Sequence, residues 1–149
     1  MQHDEGVLAW AALLKAHAAA LQRISEAVER QTRLPLSWYD VLLELNAAPA
    51  RRLRMSELGE VVVLSRTRVS RIVDELGDAG LVRREPDPQD RRSAFAVLTP
   101  AGRQRLRRAA PVYLRAIRER FTRHLSTEEL HALRTALDKV RQANEPPGR

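Results

Sequence analysis

Apolar residues recur at helical spacing through the first segment of the chain: Val7, Trp10, Ala11, Leu14, Ala18, Leu21, Ile24 and Val28. That pattern predicts one long helix over residues 4–31. Val7, Leu14, Leu21 and Val28 stand seven apart, with Trp10, His17 and Ile24 three residues after the first three, which makes a heptad-like seam. A helix of this length runs about 40 Å. No core within one small chain covers such a stripe, so a partner chain is expected along it.

Pro35 interrupts the pattern. Ser37, with Asp40 three residues on, resembles an N-cap and its acidic partner, opening a short helix with Trp38, Val41, Leu42 and Leu45 inward. Residues 46–50 read as a loop. Ser56 is placed to cap a third helix over 57–62. After a turn at Val63 and Leu64, Ser65 is placed to cap a fourth over 66–78, which Gly80 ends. Two alternating segments, 81–85 and 93–98, flank a loop over 86–92 that contains Pro86 and Pro88, which is the order of a hairpin. Thr99 caps a helix whose first residue is Pro100, a tolerated position for proline, running to about residue 124. Ser126 and Glu129 form a capping box for a last helix to about residue 143, with Leu130, Leu133, Leu137 and Val140 inward.

Composition narrows the function. The 149 residues include no cysteine, which excludes a disulfide framework, a thiolate metal cluster and a thiol nucleophile. No apolar run approaches the roughly 20 residues of a membrane span, and the N-terminal residues are acidic rather than basic as in a signal peptide. A soluble cytoplasmic protein is expected. The 26 Lys+Arg outnumber the 19 Asp+Glu for a net charge of +7, and all but Lys15 and Lys139 of these cations are arginine. The arginine fork suits phosphate and guanine edges, although a GC-rich genome would also raise Arg and Ala together. Location says more than the total. Residues 51–92 carry ten cations and eight acids, whereas 103–123 carry eight cations and one acid, so the surplus formally lies in the helix after the hairpin.

On a helical wheel Val69, Ile72, Val73 and Leu76 share one side, and Thr67, Ser70, Arg71 and Asp74 lie opposite, flanked by Arg66 and Arg68. Arg71 and Asp74 are spaced to pair. An aliphatic inner face with hydroxyls and arginines on the exposed N-terminal half suits a major-groove reader, whose helix N-terminus also favours phosphate. An ordinary amphipathic surface helix fits the same wheel. The order separates them: a capped helix, a short turn, a second capped helix and a hairpin with a basic tip make a winged helix-turn-helix. The expected fold is therefore mainly α with a small β-hairpin wing. Arg83 and Arg84 alternate faces, so at most one of them should point at DNA.

Several stretches carry a family resemblance: Met55-Ser-Glu-Leu-Gly, the run from Leu64 to Leu76, Ala79-Gly-Leu-Val-Arg-Arg, and above all Asp87-Pro-Gln-Asp-Arg-Arg-Ser with the exit Leu98-Thr-Pro-Ala-Gly. Together with residues 36–45, these resemble the MarR family (multiple antibiotic resistance regulators), densely over 34–103 and more weakly at both ends. The resemblance implies a homodimeric transcription regulator, usually a repressor, forming a single domain over 1–149. A winged helix-turn-helix lobe at 34–100 would lie between N- and C-terminal dimerisation helices at 4–31 and 101–144. It further implies double-stranded DNA as partner at a pseudo-palindromic operator, with the recognition helix in the major groove and the wing in the minor groove. On that reading Ser65, Arg66, Thr67, Arg68, Ser70 and Arg71 form the recognition set, and Asp90 and Arg92 match the wing pair. Arg92 would enter the minor groove, where A·T tracts concentrate negative potential. Asp90 is expected to brace a wing arginine, because phosphates repel a carboxylate, and Arg91 is a candidate for a phosphate contact.

The same resemblance implies a small-molecule effector, often phenolic or another aromatic anion. Candidates by position are Trp10, His17, Trp38, Tyr39, Arg103 and Arg107. Trp10 and His17 can equally be interface packing on the heptad-like seam, and Trp38 and Tyr39 can be core. His3, His17, His124 and His131 lack metal-ligand spacing, and no catalytic motif or glycine-rich phosphate loop is present, so neither a cofactor nor an enzyme is expected. Two other function classes stay open. One is a non-specific or architectural nucleic-acid binder driven by the arginines of 103–123, binding constitutively; the other is a winged helix that binds protein only.

Overall fold

The computed structural model describes residues 4–62 and 66–146. In chain order the elements are α1 (Glu5–Thr32), α2 (Leu36–Ala47), a 3-10 turn (Pro49–Arg51), β1 (Arg52–Arg54), α3 (Met55–Val61), α4 (Arg66–Asp78), β2 (Val82–Asp87), β3 (Asp90–Leu98), α5 (Pro100–Arg120), a second 3-10 turn (Thr122–His124) and α6 (Thr127–Asn144). The fold is mainly helical with one small antiparallel sheet in the order β1-β3-β2. Two compact units divide it: Ser25–Leu114 in one, and in the other the residues up to Ile24 together with those from Arg115 onward.

The unit Ser25–Leu114 contains α2 to α4, the sheet and the first half of α5. Its core is aliphatic: Leu34, Val41, Leu42 and Leu45 meet Leu58 of α3, the stripe Val69, Ile72, Val73 and Leu76 of α4, and Val82, Ala96 and Leu98 of the sheet. Each buried Val, Leu or Ile among them contributes about 2 kcal/mol by leaving water. The α4 stripe is the one its wheel predicts. In α2 the inward aromatic residue is Tyr39 rather than Trp38, which lies only partly buried at the edge of this core.

Two caps differ from expectation. Ser37 does not cap α2: the helix starts at Leu36 with Pro35 at the N-cap, and the Pro35 carbonyl accepts from the N–H groups of Trp38 and Tyr39. Ser56 does not cap α3 either. That helix starts at Met55, and the Glu57 carboxylate accepts the backbone N–H of Arg54 at 2.9 Å. At both sites a loop carbonyl or a carboxylate satisfies the helix entrance without the expected serine. The helix before the last ends at Arg120 rather than about residue 124, because Phe121 leaves helical geometry and a 3-10 turn follows. Ser126 caps α6 as expected: its Oγ accepts the Glu129 N–H at 3.1 Å, and the Glu129 carboxylate accepts the Ser126 N–H at 2.8 Å.

The second unit holds the N-terminal part of α1, the last turns of α5, and α6. Its apolar positions stay largely open. Val7, Trp10, Leu14 and Leu21 are exposed on α1, while Ile24, near its end, is buried. On α6 Leu130 and Leu133 are half-buried, but Leu137 and Val140 are exposed, so the expectation that all four point inward is corrected for the single chain.

The base of the hairpin is closely joined to α4 and α5. Thr99 donates its N–H to the Leu81 carbonyl at 3.2 Å and its hydroxyl to the Gly80 carbonyl at 2.7 Å, and its Oγ1 accepts the Gly102 N–H at 3.0 Å. Gly80 (φ +73) closes α4, with Leu81 N–H bonded to the Leu76 carbonyl and Gly80 N–H to Gly77. Gly102 packs so closely that a Cβ would overlap the Leu81 carbonyl oxygen and lie 2.7 Å from Leu98 Cδ1. Gly102→Ala should therefore cost about 3 kcal/mol and lower the Tm by roughly 6–12 °C in thermal unfolding followed by circular dichroism. An unchanged Tm would contradict this close approach.

Candidate nucleic-acid interface

α4 buries its aliphatic stripe and leaves Thr67, Arg68, Arg71 and Asp74 exposed, with Ser70 half-buried. Arg66 opens the helix. Ser65, the expected cap and first member of the recognition set, lies outside the described residues. Arg71 does not pair with Asp74. Its Nε lies 3.9 Å from Glu75 Oε1, a loose exposed contact that leaves the guanidinium accessible.

Asp74 instead accepts from Arg84 of β2, whose Nη2 donates to Asp74 Oδ1 at 2.8 Å, Ser70 Oγ at 3.1 Å and the Ser70 carbonyl at 3.2 Å. Strand alternation places position 84 on the sheet face that meets α4, so the long side chain reaches across the junction. A second tie comes from α2, where Trp38 Nε1 donates to Glu75 Oε2 at 3.0 Å. The two acids in the middle of α4 are thus occupied within the lobe. Arg83, on the opposite sheet face, pairs with Glu85.

The wing strands are longer than expected. The predicted loop over 86–92 shrinks to a turn at Pro88 and Gln89, and Asp90, Arg91 and Arg92 lie on β3. The turn is organised by Asp87, a buried carboxylate whose Oδ1 accepts the Gln89 N–H and whose Oδ2 accepts Arg54 Nε, each at 2.9 Å. Hydrogen bonding from Gln89 and then from Arg54 holds the Asp87 carboxyl below the usual carboxylate range, while Asp87 raises the pKa of Arg54. Asp90 therefore does not brace an arginine side chain. Its Oδ1 accepts the backbone N–H of Arg92 at 2.9 Å, and the bracing carboxylate is Asp87. Arg91 and Arg92 are exposed.

Sequence reasoning missed β1 altogether. It pairs with β3 through Arg52↔Val97, Leu53↔Ala96 and Arg54↔Phe95. On the outer face the Arg52 and Arg54 guanidiniums lie 4.4 and 5.1 Å from the Phe95 ring centroid, and Arg52 also faces Glu85 at 3.6 Å. Arginine stems do the covering here, so no apolar alternation marks the strand. Arg54, Arg84 and Asp87 were not identified as functional. For Asp87 a signal existed in its two-residue spacing to Gln89, where an aspartate accepts a backbone N–H and sets a turn.

The six effector candidates fall into separate environments. Tyr39 is buried edge-on against Tyr113, with ring centroids 4.7 Å apart at 73°, and burial raises both hydroxyl pKa values. Trp38 is engaged with Glu75. Arg103 and Arg107 line a groove with Arg51, a residue the sequence reading did not single out. Trp10 and His17, in the other unit, are exposed on α1.

The sequence model of the MarR family matches residues 34–93. A solved structure of Sco3205, a MarR family transcriptional regulator from Streptomyces coelicolor in complex with DNA, is 32% identical and superposes with a TM-score of 0.90, covering 100% of this chain and 94% of its own. This chain belongs to the MarR family. AbsC, a MarR family transcriptional regulator from the same organism, is 29% identical with a TM-score of 0.86 and 96% coverage of each chain. YkoM of Bacillus subtilis (strain 168), described as an uncharacterized HTH-type transcriptional regulator, is 31% identical over 87 residues. That match spans 58% of this chain and 56% of YkoM. Sco3205 and AbsC are both described as MarR family transcriptional regulators, and as a member of that family the present chain is a regulator rather than an enzyme. No helix among its described residues is long and apolar enough to cross a membrane.

The Arg54–Asp87 pair makes a pH prediction. Asp87 is a stronger acid folded than unfolded, where its pKa is about 3.9. Its contribution to stability is therefore complete above that value and disappears as the pH falls through the lower folded pKa. Asp87→Asn should lower the neutral-pH urea midpoint and flatten the acid limb below about pH 4. Equal acid limbs in the two proteins would mean that the pair adds nothing to stability.

Proposed function

We propose that this MarR-family chain is a sequence-specific, homodimeric DNA-binding transcriptional regulator of the cytoplasm, a repressor released by a small effector. The observation that carries the reading is the exposed edge of α4, with Thr67, Arg68 and Arg71, held to the wing by Arg84 while Arg91 and Arg92 stand exposed on β3. The DNA in the Sco3205 structure supports it. Arg66, Thr67, Arg68, Ser70 and Arg71, with Ser65 before them, read the major groove of a pseudo-palindromic operator. Ser70 does so while accepting from Arg84, which leaves its own hydroxyl proton to donate. Arg92 enters the minor groove, Arg91 meets phosphate, and Asp90 shapes the strand that presents them.

The winged lobe is assigned to 34–100 within a single domain, with 4–31 and 101–144 forming the dimer. The exposed apolar residues on α1 and α6 support that assignment, since water-facing stripes of this size mark a protein interface. Two recognition helices reach successive major grooves when about 34 Å apart. An effector that favours a dimer with another spacing withdraws the protein from DNA in proportion to its differential affinity.

Selection of bound fragments from the source genome, followed by fluorescence anisotropy, tests the reading. The selected site should be preferred over random DNA by roughly 10³ or more at physiological salt. Arg71→Ala should cost about 1–3 kcal/mol on that site, and Arg92→Ala should weaken sites flanked by A·T tracts most. Little preference with a steep salt slope would favour the alternative, a constitutive architectural binder driven by the arginines of 103–123. The dimer has its own test. Leu137→Glu with Val140→Glu should shift sedimentation toward monomer, and an unchanged dimer would remove α6 from the interface.

A further inference from the structure

In the unit Ser25–Leu114, the chain between α2 and β1 faces the start of α5 across a groove of about 610 Å³. Arg51, Arg103, Arg107, Gln104 and Thr99 supply its polar lining, and Leu98, Pro100 and Ala101 its apolar wall. A volume of this order suits a small molecule.

The charge of the groove is one-sided. Arg51, Arg103 and Arg107 all reach it, and among the described residues no carboxylate lines it. Arg107 first, and then Arg51, pull the Arg103 guanidinium pKa below its ordinary value, as expected where cations crowd without an anion between them. The arginines of the sheet contrast with this: Arg52 meets Glu85 and Phe95, Arg54 meets Asp87, and Arg84 meets Asp74. Arg51 is also held in an unusual backbone. Ala50 (φ 54) and Arg51 (φ 52) are consecutive left-handed residues without glycine, a strained conformation for residues with a Cβ. The cost is borne where it turns Arg51 toward two like charges.

We propose that this groove binds a compact polyanion, a phosphorylated or polycarboxylated small molecule, through Arg51, Arg103 and Arg107. Three guanidiniums call for more than one negative charge, because a monoanion leaves two of them uncompensated. Arginine forks bind either oxyanion in bidentate fashion, so the chemistry is shared between phosphate and carboxylate sources. The cations also converge on an open groove, which fits a compact molecule better than the extended phosphate backbone of a duplex. The site would give the proposed effector an anionic class, and in that respect it rests on the regulatory reading. Its occupancy is measured without DNA, so the two ideas fail separately.

Isothermal titration calorimetry of the full chain with pyrophosphate and with citrate, at about 0.15 M NaCl, tests the proposal and separates the two sources. At least one anion should bind saturably at one per chain. Arg103→Gln and Arg107→Gln should each weaken it by about tenfold or more, while Arg118→Gln, which removes the same charge from the far end of α5, should bind as the wild type does. Melting curves without ligand confirm that each variant is folded. Absence of saturable binding by both anions would overturn the proposal, as would equal weakening by Arg118→Gln, which would reduce the effect to net charge.

Discussion

One guanidinium joins the two parts that would meet DNA. Arg84 leaves β2, crosses to α4 and donates to Asp74 and twice to Ser70. A helix packed only by its aliphatic stripe keeps some freedom to slide and roll, because dispersion contacts are many and individually weak. A charged, directional clamp on its outer side removes that freedom. The distance from Arg71 on α4 to Arg91 and Arg92 on β3 is thus set by the shared aliphatic core together with this tie, and the Trp38–Glu75 bond holds the same helix from α2. The arrangement also occupies both acids nearest the exposed edge, which reduces their repulsion of phosphate.

That clamp explains why a segment with ten cations and eight acids can still present a basic surface. The near balance comes from sorting. Arg52, Arg54, Arg83 and Arg84 are joined to Glu85, Asp87 and Asp74, and those pairs build the wing and fasten it to the helix. Asp90 and Glu57 accept backbone N–H groups at a strand and a helix start. Arg71, Arg91 and Arg92 are left facing solvent with at most a loose partner. The formal surplus on 103–123 attracts polyanions at long range, but geometry in the lobe decides which arginines can read anything.

Legibility in the sequence followed the kind of force involved. The bounds of α4, its buried stripe, the Thr99-Pro100 entrance of α5 and the Ser126 cap of α6 were all readable, since each rests on local spacing or on a side chain bonding to its own neighbourhood. The misplaced features are of two kinds: a neighbouring group takes over a cap, or a partner far along the chain decides the outcome. Ser37 and Ser56 resemble caps, but the loop carbonyl of Pro35 and the carboxylate of Glu57 fill those roles. β1 is invisible because Phe95, more than forty residues away, lies beneath its arginines. Asp87 and Asp90 look interchangeable in the motif. Only the return of β1 beside the turn gives Asp87 an arginine and leaves Asp90 a backbone N–H. The heptad-like seam was legible as a pattern, but the single chain leaves only its first part open, at Val7, Trp10, Leu14 and Leu21, while Ile24 and Val28 are buried.

The five residues from Leu98 to Gly102 show why so specific a motif occupies so little chain. Thr99 alone bonds to the close of α4, the approach to β2 and the first turn of α5, and Gly102 removes the Cβ that would hold α5 away from Leu81. A bulkier residue at 102 or a non-bonding one at 99 would therefore disturb three elements at once. Leu98, Thr99, Pro100 and Ala101 also wall the groove where Arg51, Arg103 and Arg107 converge. The base of the wing and the start of α5 are thus fastened by the same atoms that shape this groove.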